Sequence, residues 1–178
     1  MNSAPNPQSK AAGVTVEVRD LHKAFRSQQV LRGIDLDVAP GEILVLMGPS
    51  GSGKSVFLRH LIGLEVPDSG TVLIDGAPAS EELRSRLRLA MVFQSGGLLN
   101  SLTVGENVGL YLAEHRLASP ADIQRIVAEK LALVRLPPES AAKLPSEFSG
   151  GMRRRAAIAR ALTMNPQLVL FDEPTAEL

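Results

Sequence analysis

Gly48-Pro49-Ser50-Gly51-Ser52-Gly53-Lys54-Ser55 satisfies G-x-x-x-x-G-K-[ST], the pattern of a glycine-rich loop that cradles phosphate. Three glycines in six positions let the backbone curl until successive N–H groups point inward at an anion. Lys54 brings a full positive charge to that anion, and the Ser55 hydroxyl is placed to ligate Mg²⁺. Before the loop runs Ile43-Leu44-Val45-Leu46-Met47, an unbroken apolar stretch that predicts a parallel strand covered on both faces. After it Val56–Ile62 predicts a helix that stops at Gly63, with Pro67 just beyond. Strand, loop and helix in that order aim the positive end of a helix dipole at the anion. They make the core α/β.

The chain has 178 residues, enough for one domain with a substantial core. Its 19 Lys and Arg balance 19 Asp and Glu, so nothing in the net charge suits nucleic acid. There is no Cys, which excludes disulfides and thiolate metal sites and fits a reducing cytoplasm. No apolar run approaches the roughly 18 residues of a membrane span. Residues 1–13 contain no hydrophobic segment and are expected to form a disordered tail rather than a signal peptide. A soluble protein is expected, with any membrane role supplied by a partner.

Val14–Val18 and Val30–Val38 alternate at period two, as half-buried strands do, and Pro40-Gly41 turns the chain into the apolar run. Phe25 lies in the polar connection between those strands, either as a core plug or as a platform for a flat ring. Ser69–Gly76 predicts a short strand, Glu81–Arg88 a charged surface helix, and Leu89–Phe93 a second buried strand. That strand ends on Gln94, at the kind of strand terminus where α/β sheets bind ligands. Thr103-Val104-Gly105-Glu106 is a capping box, and Ser119-Pro120-Ala121-Asp122 is a second helix start. Ile123, Ile126, Val127, Leu131 and Val134 form one apolar stripe, so residues 97–146 are expected to be a helical insertion. Ser149 is an N-cap followed by Gly150-Gly151, a second helix terminus open to an anion, and Arg153, Arg154, Arg155 and Arg160 predict a solvated face. Leu168–Phe171 ends in Asp172 and Glu173, a buried strand whose tip can share the work of holding Mg²⁺ and deprotonating water. His22, His60 and His115 have no ligand-like spacing and are expected at the surface.

Together GPSGSGKS, Gln94, FSGGM and LVLFDEPT resemble the ATP-binding subunit of ABC transporters, in order and spacing, from about residue 14 onward. The resemblance implies a P-loop NTPase core with an N-terminal antiparallel β subdomain and a helical insertion. It implies that Phe25 stacks on adenine and that Gly48, Pro49, Ser50, Gly51, Ser52, Gly53, Lys54 and Ser55 bind the phosphates of ATP. By the same likeness Ser55, Gln94 and Asp172 would hold Mg²⁺, Gln94 would sense the γ-phosphate, and Glu173 would be the general base. Ser149, Gly150 and Gly151 would complete the site of a second copy in a head-to-tail dimer. FQSGGLLNSLTVGENV and KLPSEFSGGMRRRAAIARAL further resemble the Mla/Mce-type lipid transporters. That implies a membrane permease partner, an Mce-type lipid-binding component, and a cytoplasmic position on the inner face of the membrane.

The family has T-x-G-L-D after the strand acids, where this chain has Thr175-Ala176-Glu177-Leu178. The likeness therefore implies a member whose C-terminal part, with the family's switch His, is missing. Three functions compete: an ATPase coupled to transport, a nucleotide-binding module without efficient turnover, and a DNA-repair ATPase, which the neutral charge disfavours.

Overall fold

Alternating Val16, Val18 and Leu21, all buried, begin a strand whose other face is polar. The structure is a computed structural model that describes residues 13–173. β1 (Val16–Phe25) lies between β2 (Gln28–Val38) and β3 (Ser69–Ile74), and β4 (Ala77–Pro78) pairs with β3, all antiparallel in the order β2-β1-β3-β4. β1 runs past the expected end at Val18. It absorbs a register shift at Asp20 (φ 47°) and continues to Phe25, which pairs with Gln28 across a two-residue turn. α1 (Lys54–Leu61) and α2 (Glu81–Arg86, capped by Ser80) complete a compact unit that spans Ala11–Leu89.

The other unit takes in Ala90–Leu178. In it β5 (Leu89–Val92) pairs with β6 (Leu168–Phe171), beside α3 (Val104–Glu114), α4 (Pro120–Leu133) and α5 (Gly150–Thr163). Short 3₁₀ turns at Pro138–Ala142 and Pro145–Glu147 join α4 to α5. The helix starts fall where the sequence signals put them. Thr103 Oγ1 accepts the Glu106 N–H (3.2 Å) while Glu106 Oε2 accepts the Thr103 N–H (2.7 Å), a complete capping box. Ser119 and Ser149 cap α4 and α5 through the N–H groups of Asp122 and Met152. The predicted stripe is the inner face of α4: Val127 and Leu131 are buried with Val104, Val108, Phe148, Ala156 and Ala159, and Ile123 and Val134 pack against them.

The Thr103 bonds hold the Glu106 carboxyl below its usual range. A depressed folded-state value stabilises above the unfolded pKa and is lost as pH falls through the folded one. Stability should therefore drop as pH falls below the ordinary 4.5 of this group, and Glu106→Gln should flatten that limb. Urea midpoints taken between about pH 3 and 6 check it.

Three expectations are corrected. Ile43–Met47 forms no strand and belongs to no sheet among the described residues; Ile43, Val45 and Met47 are 91%, 72% and 90% exposed, Leu44 and Leu46 about half that. An apolar run states a demand for cover and not what meets it, and no strand of its own unit pairs with it. His60 is not at the surface: it is 1% exposed in α1, its Nδ1 2.8 Å from Val56 O. The α5 arginines are more than a solvated face: Arg153 is exposed and the other three half-buried, and all four guanidiniums donate to backbone carbonyls. The expected tail over residues 1–12 and the departure at Thr175–Leu178 lie outside the described residues.

Candidate functional site

Each unit carries part of the predicted site. In Ala11–Leu89 the loop of Gly48–Ser55 closes on its own lysine: Lys54 Nζ donates to Gly48 O (2.8 Å) and Pro49 O (3.0 Å), and the Ser52 N–H donates to Pro49 O (3.2 Å). Gly53 is the N-cap of α1 at φ 97°, and a Cβ there would lie 2.8 Å from Val30 Cγ1. Only glycine fits. No side chain caps α1, so the positive end of its dipole opens into a loop that already concentrates an ammonium. A groove of about 410 Å³ is lined there by Gly48, Pro49, Ser52, Gly53 and Lys54, with apolar cover from Leu46.

Phe25 is 43% exposed at the end of β1, which removes the core-plug reading. Its support is a lysine: Lys23 Nζ sits 5.3 Å from the ring centroid and is fixed by Glu65 (2.9 Å), Asp68 (3.4 Å) and Val66 O (2.7 Å). The hydrogen bond to Glu65 raises the Lys23 pKa, and the Ala24 N–H holds Asp68 below the usual carboxylate range. The ring is exposed yet anchored from one side.

In Ala90–Leu178 the Asp172 N–H donates to Val92 O (3.0 Å), which sets the acidic end of β6 beside the end of β5, two residues before Gln94. Gln94 O accepts from Arg154 Nη2 (3.3 Å) of α5. A cleft of about 750 Å³ is lined by Gln94, Ser95, Gly97, Gly150, Arg153 and Arg154. The Ser149 hydroxyl is spent on its cap, whereas Gly151 has open space where a side chain would stand. Glu173 closes the described chain at φ 49°, a left-handed conformation that costs a non-glycine residue about 1–2 kcal/mol. Residues 31–176 match the family described as ABC transporter.

The chain belongs to the ABC transporter family. It is similar to the "Probable ribonucleotide transport ATP-binding protein mkl" of Mycobacterium leprae, 44% identical over 93% of this chain and 49% of that protein. It is also similar to "Protein TRIGALACTOSYLDIACYLGLYCEROL 3, chloroplastic" of Arabidopsis thaliana, at 42% identity over 93% of this chain and 51% of the relative. The chain spans about half the length of the curated relatives it matches. Among solved structures it resembles the dimeric post-hydrolysis state of the ATP-binding cassette MJ0796 bound to ADP and Pi, with a TM-score of 0.82 and 33% identity over 92% of this chain and 75% of that one. The fold is therefore that of an ABC ATP-binding domain.

Within this ABC domain two residues stand out: Asn107, which sequence reasoning did not single out, and Arg160, which it read only as part of a solvated face. Asn107 is fully buried and bonds the backbone of Leu99, Leu102 and Thr103. Arg160 donates to Gly96 and Gly97 O (3.1 and 2.7 Å). No local signal announces the Arg160 bonds, which reach residues more than 60 positions away. Leu98 packs into the core of this unit, whereas Leu99 is 47% exposed.

Proposed function

We propose that this chain binds Mg-ATP and hydrolyses it to drive transport, of lipid, through a membrane permease. The observation that carries the reading is the Lys54 ammonium held by the Gly48–Ser55 loop at the open N-terminus of α1, an anion site built from charge, dipole and backbone. In this reading Gly48 to Ser55 bind the phosphates and Phe25 stacks on adenine, its exposed ring backed by Lys23. Ser55, Gln94 and Asp172 offer the hard oxygen donors that suit Mg²⁺, which favours few protein ligands beside phosphate. The ion, when bound, neutralises phosphate charge. Glu173 is the general base, and Ser149, Gly150 and Gly151 serve a second copy of the chain in a head-to-tail dimer. The ATP-binding domain covers residues 14–178, with the helical insertion at about 97–146.

Lipid as cargo is supported by Gly96-Gly97-Leu98-Leu99 after Gln94, by Pro145-Ser146-Glu147-Phe148 before the signature, and by a relative named for trigalactosyldiacylglycerol. An Mce-type component and a place on the cytoplasmic face of the membrane follow from the same reading. No helix among the described residues is long and apolar enough to cross a membrane, so the permease supplies the attachment. Leu99, exposed on the loop before α3, is an apolar group open to that partner.

Lys54 contributes a charge-assisted contact worth about 1.5–3 kcal/mol, or about ten- to a hundredfold in affinity. Titration of wild type and Lys54→Ala with Mg-ATP should show that loss. Equal affinities would remove the nucleotide from this loop.

A further inference from the structure

We propose that Arg160 is a positioning residue for Gln94, holding from α5 the turn through which Gln94 leaves β5. Its guanidinium donates from two nitrogens to two successive carbonyls, Gly97 O at 2.7 Å and Gly96 O at 3.1 Å. Both glycines are left-handed, at φ 75° and 60°, a conformation that presents the pair of carbonyls to one planar fork. Gly96 is also the place where the turn meets α5: a Cβ there would approach Ala157 Cβ to 3.3 Å. Among the described residues no carboxylate forms an ion pair with Arg160, so the turn's carbonyls carry the compensation for a partly buried charge. Burial lowers its pKa in keeping with that desolvation. The dependence runs both ways. The charge needs the turn as much as the turn needs the charge, and Arg154 adds a third donor at Gln94 O.

The hydrogen bonds of Arg160 go to the backbone of Gly96 and Gly97 and not to the Gln94 side chain, so its effect passes through the backbone of residues 95–97. A lysine keeps the charge but has a single nitrogen and cannot span both carbonyls. The inference rests on the reading of Gln94 as the residue that senses ATP, and its test separates the two. In the full chain, Arg160→Lys should speed amide hydrogen exchange of residues 94–99 about tenfold, with the Gly48–Ser55 loop unchanged. It should lower kcat for ATP about tenfold with little change in KM, and in a Gln94→Ala background the same substitution should lower kcat no further. Unchanged exchange at 94–99, or an equal fall in kcat in both backgrounds, overturns the proposal. If Arg160→Lys does not fold, Gly97→Ala disturbs the same turn from its other side, at φ 60° with a Cβ 3.5 Å from Arg160 Nη2, and must give the same local exchange. If wild type hydrolyses no ATP, the proposed function fails, and the exchange measurement still decides the clamp.

Discussion

Glu173→Gln should leave Mg-ATP affinity within about threefold of wild type and cut turnover by about 10²- to 10⁴-fold, the range a general base supplies. The amide keeps the shape of the carboxyl but cannot take a proton from water. In the proposed function Glu173, rather than its neighbour, carries this task. Asp172 is tied by its N–H to Val92 O, within the β5–β6 pair, whereas Glu173 is the next residue and turns out of the strand at φ 49°. Other left-handed residues such as Arg116 and Arg135 follow the last turns of α3 and α4, where that conformation commonly ends a helix. Glu173 follows a strand and ends no helix. Single-turnover measurement with Mg-ATP separates binding from chemistry; an unchanged rate in the variant would assign the base elsewhere.

What was legible in the sequence was what is local. The caps at Thr103, Ser119 and Ser149 each bond an N–H three residues on, so the signal and its partner sit within one turn of chain. The glycine-rich loop announced a curl of the backbone ahead of a helix, and α1 begins at its end, at Lys54 rather than the expected Val56. The α4 stripe announced a buried face because a helical period maps onto one side. Illegible features depended on distant partners. A row of arginines on α5 looks the same whether it meets water or carbonyls, and the carbonyls of Gln94, Gly96 and Gly97 lie about sixty residues away. His60 is half apolar in character and could have faced either way; its place in α1 made it buried. Ile43–Met47 was read as a covered strand and is neither paired nor covered among the described residues, since composition cannot say which strands will flank a run. Of the candidate site, the loop was readable from its motif, Phe25 could be read as plug or platform until its exposure decided against the plug, and the clamps behind Gln94 were not readable.

The other large effect belongs to Asn107, which sits fully buried in α3 and organises the loop between Leu99 and Thr103. Its Oδ1 accepts the Leu99 N–H at 2.8 Å, and its Nδ2 donates to Leu99 O (2.9 Å), Leu102 O (3.1 Å) and Thr103 O (2.9 Å). Asn107→Leu keeps the volume and removes all four bonds. Two of the groups have a substitute: Leu99 O still receives the Leu102 N–H, and Thr103 O still receives the Asn107 backbone N–H. Leu99 N–H and Leu102 O are left without the side chain that served them. A polar group that loses its partner inside a protein costs about 1–3 kcal/mol; here the bonds are only partly buried and Leu99 is exposed, so the pair together should cost about 1–3 kcal/mol. Against a typical domain stability of about 5–15 kcal/mol this should appear as a melting temperature lower by about 5 °C. Asn107→Asp should not rescue it, because a carboxylate keeps the acceptor, loses both donors and buries a charge. An unfolding free energy from urea titration that changes by less than about 0.5 kcal/mol would mean that water reaches these groups and that the loop is held by packing alone. The loop is also the one that displays Leu99 outward while Leu98 is packed into the core. Loosening it should therefore weaken the proposed permease contact even at temperatures where the domain stays folded, a loss that a core substitution of equal cost, such as Leu131→Ala, should not reproduce.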